Sequence, residues 1–158
     1  MALPIFHAAA VPSVHFSTLK AGQTTYLMRR FDLAQLLRAV ETYKATDLAI
    51  VPPIALAIIM NPMSHERPYL QSLKSANCGA APLDKAVQAR FRSLMAEGAP
   101  FTQVWGMTET SCVATMLNYP EQDDQGSVGR LVANLEAKYV HPLALVRLHK
   151  FNKFADSQ

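Results

Sequence analysis

The chain has 158 residues, of which 50% are hydrophobic and 17% are charged, a balance that is typical of one globular domain and excludes a disordered chain. Its formal net charge of +3 is spread over scattered lysines and arginines, so no basic stripe supports nucleic-acid binding. Its two cysteines, Cys78 and Cys112, have the spacing neither of a zinc site nor of a disulfide framework, and they suit a reducing compartment, most simply the cytosol (a cytoplasmic protein).

Strand-like and helix-like segments alternate through the first half of the chain. Asp32 is positioned to cap a helix, because Gln35 follows three residues later and apolar residues then recur at helical spacing to about Lys44. The apolar run at 48–60 is too short to span a bilayer and contains two adjacent prolines, so we expect no membrane span. Predicted strands lie at 24–28, 47–51 and 73–78, and predicted helices at 33–44 and 54–60.

The second half of the chain continues this alternation. Asp84 can cap a helix whose apolar stripe, Val87 to Met95, ends before Gly98. Alternation of this kind predicts an α/β fold, with a parallel sheet flanked by helices and right-handed crossovers. Ligands of such sheets bind beyond the carboxyl ends of the strands. Further strands are predicted at 101–105, 112–117 and 128–140, with a polar, turn-rich segment at 118–126.

The segment Gly79–Pro82 follows a predicted strand and contains only small residues and a proline. Small side chains allow a flat ring to approach the backbone and to use its N–H and C=O groups. A tight strand-to-helix turn, in which Pro82 begins the helix, would have the same sequence. Both interpretations stay open at this point.

The segment Trp105–Glu109 follows the next predicted strand and combines an aromatic ring, a hydroxyl and a carboxylate. Trp105 could stack on a base, and Thr108 could donate a hydrogen bond to a phosphate oxygen. Glu109 could bind Mg²⁺, which prefers one or two carboxylates together with substrate phosphate. Alternatively, Trp105 is a core residue and Glu109 is a solvated residue in the first turn of a helix.

His7 directly follows the apolar run Leu3–Phe6 and could line a substrate tunnel. A histidine beside apolar residues is also common as a packed core residue. The sequence contains no Gly-x-Ser-x-Gly elbow, no Walker A loop and no Gly-x-Gly-x-x-Gly loop, and residues 126–129 predict a turn rather than a phosphate loop.

Five segments stand out in order along the chain. They are Pro4–His7, Ile50–Pro53, Gly79–Leu83, Gln103–Glu109 and Gly126–Arg130. Together they make residues 3–138 resemble the adenylate-forming acyl-CoA synthetases, and within them the 4-coumarate–CoA ligase-like branch. Five motifs in this order are more specific than any one of them.

The resemblance implies a two-step reaction. Members of the family activate a small-molecule carboxylic acid with ATP and Mg²⁺, which gives an acyl-adenylate and pyrophosphate. The thiol of coenzyme A then attacks the adenylate and gives a thioester and AMP. Gly106 and Met107 would border the tunnel that holds the acid.

The resemblance also implies a role for each motif residue. The implied catalytic residues are Thr108, which would contact the α-phosphate, Glu109, which would bind Mg²⁺, and His7, which would lie near the carboxylate of the acid and the entry of the thiol. Trp105 occupies the family's adenine-stacking position. The implied cofactor-binding residues are Gly79, Ala80, Ala81, Pro82, Gln103, Trp105, Gly106, Met107 and Thr108.

Parts of the family pattern have no counterpart in this sequence. The family's phosphate loop should precede Pro4, and its acidic ribose-binding residue and catalytic lysine should follow Lys138. We therefore expect a shortened enzyme of weak or no activity, with a partial AMP-binding domain at 1–125, the start of a barrel at 126–138 and an unrelated tail at 139–158. The rival interpretations are a non-catalytic AMP- or acyl-binding protein and an interaction protein. The sequence does not define the oligomeric state.

Overall fold

A computed structural model describes residues 1–138, so the tail predicted at 139–158 lies outside the described residues. Within this range the strands form two three-stranded sheets. The strands are β1 (Asp47–Ile50), β2 (Ser75–Cys78), β3 (Phe101–Gln103), β4 (Trp105–Met107), β5 (Cys112–Met116) and β6 (Arg130–Leu131). The helices are a π-helical turn (Pro12–Ser17) that leads into α1 (Thr18–Ala21), then α2 (Leu33–Tyr43), α3 (Pro52–Met60), α4 (Met63–Glu66), α5 (Lys85–Arg92) and a 3-10 turn (Thr108–Thr110).

The first sheet is parallel and has the strand order β1-β2-β3. Because successive side chains of a strand alternate between the two faces, the register of the three strands brings one set of side chains onto a single face. All of them are buried: Leu48, Ile50, Ala76, Cys78, Phe101 and the one polar member, Gln103. The predicted α/β fold with a parallel sheet is confirmed.

Helices α2, α3 and α5 contribute their buried side chains to the same core as this sheet face. Leu37, Ile58 and Phe91 are fully buried, and the ring centroid of Phe91 lies 4.2 Å from that of Phe101. Helix α3, predicted to be buried, buries only its side that faces this core, and Met60 at its end is exposed. Helix and sheet therefore share one apolar core, which fixes the carboxyl ends of the parallel strands.

Both predicted helix caps are present. The carboxylates of Asp32 and Asp84 each accept a 2.8 Å hydrogen bond from a backbone amide in the first turn of the following helix. Helix α5 ends at Arg92, earlier than its apolar stripe suggested. The amides of Leu94 and Met95 donate to carbonyls three residues back rather than four, so the chain tightens into 3-10 geometry there.

The strand predicted at Thr24–Met28 is wrong. The segment has no strand partner within residues 1–138. Its Met28 amide instead donates a 3.1 Å hydrogen bond to the Met1 carbonyl. A β-prone composition therefore did not produce a strand, because no neighbouring strand of the described chain lies beside it.

Of the strand predicted at 128–140, residues 139–140 lie outside the described residues, and the described part is much shorter than expected. Within the described residues only Arg130–Leu131 joins a sheet, as β6 beside β5. The backbone then turns at Asn134, which has a φ of +66° and cannot continue a strand. Whether residues 126–138 begin a barrel stays a prediction.

The run Phe101–Trp105, expected as one strand, changes sheets at Val104. Residues before Val104 form β3 in the parallel sheet and are fully buried, whereas Trp105 begins β4, which pairs antiparallel with β5 and is exposed throughout. Because of this change of sheet, Trp105 and the residues that follow it lie at the surface.

Candidate functional site

The two segments singled out in the sequence begin side by side. Cys78 and Gln103 are register partners at the ends of β2 and β3, and the Val104 amide donates a 2.9 Å hydrogen bond to the Cys78 carbonyl. Gly79 packs directly against Val104, because a β-carbon added at Gly79 would lie 2.9 Å from the Val104 Cγ2 atom. The structure therefore brings both segments to the carboxyl edge of the parallel sheet.

The loop after β2 presents backbone rather than side chains. Ala80, Ala81 and Pro82 are exposed, and Leu83 is buried at the end of the loop. Ala80 has a φ of +75°, a left-handed conformation that is strained for any residue with a β-carbon. Helix α5 begins only at Lys85, so the alternative in which Pro82 starts the helix does not hold. The loop is an open, strained turn.

Gln103 faces the interior, with only 3% of its surface exposed. Its Oε1 atom accepts a 2.8 Å hydrogen bond from the Leu83 amide, and its Nε2 atom donates to the Leu83 carbonyl at 2.8 Å and to Gln88 Oε1 at 2.9 Å. These bonds occupy the side-chain amide with protein partners. Contact between Gln103 and a ligand would therefore have to come from its backbone.

Strand β4 carries the predicted stacking residue. Trp105 and Met107 are each 46% exposed, so the alternative of a core tryptophan does not hold. Gly106 between them has no room for a side chain, because a β-carbon there would lie 1.8 Å from the Cys112 carbonyl oxygen. The indole and the thioether thus lie on an exposed strand that is held closely against β5.

Thr108 and Glu109 lie exposed on the 3-10 turn that follows β4 rather than in the first turn of an α-helix. Thr110, which sequence reasoning did not assign, fixes this turn. Its hydroxyl accepts a 3.1 Å hydrogen bond from the Met107 amide. As a donor, the same hydroxyl can bond to the Met107 carbonyl at 3.0 Å or to the Cys112 carbonyl at 3.2 Å. The sequence feature that could have indicated this role is the position of Thr110 three residues after Met107, because threonine hydroxyls commonly bond to nearby backbone at this spacing.

Within residues 1–138, protein side chains alone do not form a metal site. No group of three or more His, Cys, Asp or Glu side chains in that range could hold an ion. Glu109 offers one carboxylate on an exposed turn. A single carboxylate suits Mg²⁺ that is held jointly with phosphate oxygens and water.

His7 is exposed, so the alternative of a packed core histidine does not hold. Its Nδ1 atom accepts a 3.1 Å hydrogen bond from the Ala9 amide. The Ala9 carbonyl in turn accepts from the Cys112 thiol at 3.5 Å, and Cys112 is the strand partner of Met107. The segment that carries His7 therefore contacts the β4–β5 hairpin near the exposed turn.

Both thiols are held in their protonated form by their surroundings. Burial raises the pKa of Cys78 to about 11, and burial raises the pKa of Cys112 against the opposing effect of a hydrogen bond from the Val113 backbone. Neither environment activates a nucleophile, since thiolate formation would require a lowered pKa.

A cavity of about 420 Å³ lies at the start of α2. It contains none of the predicted site residues. Its walls are Arg29, Arg30, Phe31, Asp32 and Gln35. The predicted single hollow between the 79–82 loop and Trp105–Glu109 stays a prediction, although the two segments do start together.

The sequence model of one protein family, described as AMP-binding enzyme, matches residues 1–149 of the chain. Among curated proteins, the acyl-CoA ligase azaF of Aspergillus niger is 54% identical over 142 residues, which are 89% of this chain and 27% of that protein. The 4-coumarate–CoA ligase 2 of Oryza sativa subsp. japonica is 38% identical over 144 residues, covering 89% of this chain and 25% of the relative. The chain thus spans about a quarter of the length of these relatives.

Solved structures of the same fold are also similar. A long-chain-fatty-acid–CoA ligase (FadD1) from Archaeoglobus fulgidus matches with a TM-score of 0.70 and 24% identity, over 82% of this chain and 27% of that chain. This likeness supports the fold. Within residues 1–138, the helices all fall short of the length and apolar character that a bilayer crossing needs.

Proposed function

This chain belongs to the AMP-binding enzyme family, and we propose that it is part of an ATP-dependent acid–CoA ligase. In the proposed reaction, a carboxylate oxygen of a small-molecule acid attacks the α-phosphorus of ATP and pyrophosphate leaves. The thiol sulfur of coenzyme A then attacks the acyl carbon, and AMP leaves. The acyl-CoA ligase and 4-coumarate–CoA ligase names of the relatives support this class of reaction.

Adenine is proposed to bind between Trp105 and the loop Gly79–Pro82. The half-exposed indole offers a stacking face, and the exposed small residues of the loop leave its backbone open. A flat base held in this way can exchange hydrogen bonds with backbone N–H and C=O groups. The observation that carries the proposal is the register of Cys78 with Gln103, from which both segments leave the sheet together.

Thr108 and Glu109 are proposed to serve the phosphate end. The Thr108 hydroxyl would donate to an α-phosphate oxygen, and Glu109 would be one ligand of Mg²⁺. When bound, Mg²⁺ neutralises the charge of the phosphates. The exposed 3-10 turn supports this assignment, because Thr110 fixes its backbone while both side chains remain free to reach a ligand.

Gly106, Met107 and His7 are proposed to lie at the acid. Gly106 and Met107 would border the acid, and His7 would lie near its carboxylate and the entry of the thiol. The contact of Ala9 with Cys112, opposite Met107, supports a position of the His7 segment on this side of the molecule. The cytosolic location inferred from the two lone thiols stays a prediction.

Turnover by the 158-residue chain assayed alone is proposed to be weak or absent. Its relatives, which carry ligase names, are much longer: the 142 matched residues are only 27% of the acyl-CoA ligase azaF. Loss of a single preorganised donor typically slows catalysis by about 10²–10³-fold, and a quarter-length chain supplies few of the groups. Binding of AMP without turnover would then be its measurable activity.

The test is titration of the chain with AMP, followed by the fluorescence of Trp105, which is the single tryptophan of the sequence. We expect saturable quenching, because the nucleobase would stack on the indole. A lack of quenching and of calorimetric heat at millimolar AMP would overturn the proposed site. Pyrophosphate exchange at the rate of a full-length ligase would overturn the proposal of weak turnover.

A further inference from the structure

Two glutamine side chains are buried where the remaining core is largely apolar. Gln103 on β3 is 3% exposed and Gln88 on α5 is 2% exposed. Their amides meet directly, because Gln103 Nε2 donates a 2.9 Å hydrogen bond to Gln88 Oε1. Burying an amide is unfavourable unless its donors and acceptors find partners, so the partners of this pair indicate what it does.

The four N–H groups of the pair are all used. Gln103 donates to Leu83 and to Gln88, while Gln88 Nε2 donates to the Phe101 carbonyl at 2.9 Å and to the Asp123 carbonyl at 3.1 Å. Each amide oxygen also accepts one bond. Rotating either amide by 180° would bring two donors or two acceptors together, so the network has one orientation.

The network ends in two surface segments. One end holds both backbone groups of Leu83, the residue that closes the 79–82 loop. The other end holds Asp123, whose carboxylate accepts bonds of 2.7 Å from the Gly126 amide and 2.9 Å from the Ser127 amide. Gly126 also lies beside the network, since a β-carbon there would be 3.6 Å from Gln103 Nε2.

We propose that Gln88 is a positioning residue that acts through Gln103. It couples the backbone of Leu83, at the end of the 79–82 loop, to the 123–127 turn, and it thereby holds the loop ready for a nucleotide. The proposal rests on the proposed function for its ligand. It adds a residue of α5 that is not itself expected to touch the nucleotide and that contacts the candidate site through Gln103. Ala80 is strained in this loop, and a strained turn persists only where its surroundings fix it.

The decisive variant is Gln88→Met, which keeps the length and burial of the side chain and removes its hydrogen bonds. Gln71→Met is the control for an amide outside this network: Gln71 is exposed, and its Nε2 atom likewise bonds two carbonyls, those of Leu94 and Met95. Two quantities are measured in the full chain: amide hydrogen exchange at Leu83, and the dissociation constant for AMP. The unfolding midpoint is recorded for each variant.

We expect Gln88→Met to speed exchange at Leu83 and to weaken AMP binding, each by roughly tenfold, the size of effect that loss of a buried hydrogen bond typically has. Gln71→Met should change neither, even where its unfolding midpoint falls by the same amount. Unchanged exchange at Leu83, or equal loss of AMP affinity in both variants, overturns the proposal. Because Gln88 acts through Gln103, adding Gln103→Leu to Gln88→Met should cost less than the two single effects combined.

Failure of the proposed function would be recognised separately. If the unsubstituted chain binds no AMP, the site assignment fails, and exchange at Leu83 alone then decides whether Gln88 couples the loop to the turn. If Gln88→Met does not fold, Gln88→Asn gives the same comparison, since it keeps an amide but is one methylene too short to reach its partners. Slow exchange at Leu83 in Gln88→Asn would equally overturn the coupling.

Discussion

Gly106 and Cys112 approach so closely across strands β4 and β5 that a β-carbon on Gly106 would lie 1.8 Å from the Cys112 carbonyl oxygen. No real β-carbon tolerates that distance, so only glycine fits at position 106. The contact holds the turn with Thr108 and Glu109 against β5. The glycine of this motif therefore has a structural reason that does not depend on any ligand.

Gly106→Ala should destabilise the chain by about 3 kcal/mol, because the backbone of the β4–β5 pair must move apart to admit the methyl group. Urea unfolding measures the change. Gly22→Ala is the matched control, since Gly22 has a φ of +64° and no atom within 4 Å of an added β-carbon. The control should lose only about 1 kcal/mol, the cost of the left-handed conformation. Equal losses in the two variants would exclude the approach of Gly106 to Cys112 as the cause of the destabilisation.

Trp105→Ala should weaken AMP binding by about 10–100-fold, because stacking on an aromatic side chain is worth about 1–3 kcal/mol per base. Calorimetry is the measurement, since this variant has no tryptophan left. Tyr119→Ala removes another exposed aromatic ring, 68% exposed on a different loop, and should bind AMP like the unsubstituted chain. A Trp105→Ala variant of unchanged affinity would exclude stacking at this position.

Glu109→Gln should remove the effect of Mg²⁺ on nucleotide binding while leaving AMP binding without Mg²⁺ unchanged, because the amide keeps the size of the side chain and loses its charge. ATP affinity is measured with and without millimolar Mg²⁺. Glu97→Gln, another exposed carboxylate, is the control. A Glu109→Gln variant that still gains affinity from Mg²⁺ would rule out Glu109 as a ligand of the ion.

The elements that the sequence predicted well are those with local signals. Asp32 and Asp84 carry caps that can be recognised over four residues, and the parallel sheet follows from apolar runs of strand length. The change of sheet at Val104 could not be predicted, because Phe101–Trp105 is β-prone on both sides of it and only the tertiary packing separates the two halves.

The same distinction applies to the candidate site. Gly79–Pro82 and Trp105–Glu109 were recognisable as motifs, and the structure brings their starting points together at Cys78 and Gln103. Gln88 was not recognisable, because its partners Phe101, Gln103 and Asp123 lie 13, 15 and 35 residues away. A buried polar network is defined by tertiary distances, which leave no periodic pattern in a sequence.

Ala80→Gly should stabilise the chain slightly, by up to about 1 kcal/mol, because glycine adopts the φ of +75° without strain. Ala81→Gly should have the opposite sign. Ala81 has no positive φ, so the substitution only adds flexibility to the unfolded chain and costs about 0.5–1 kcal/mol. Thermal unfolding of the two variants side by side measures both effects. Destabilisation of equal size in both would contradict the left-handed conformation at Ala80.

The free energy of unfolding should fall between pH 9 and pH 11 because of Cys78. Burial raises the pKa of this thiol from 9.0 to about 11, so at pH 8 and below it is almost fully protonated in both states and has little effect on stability. As the pH rises through this window, the unfolded chain loses the proton and the folded chain keeps it. Linkage then lowers the free energy of unfolding by roughly 2–3 kcal/mol at pH 11.

Urea unfolding of the unsubstituted chain and of Cys78→Ala at pH 8 and pH 11 isolates this contribution from other titrating groups. Parallel losses in the two proteins would show that Cys78 does not supply the pH dependence.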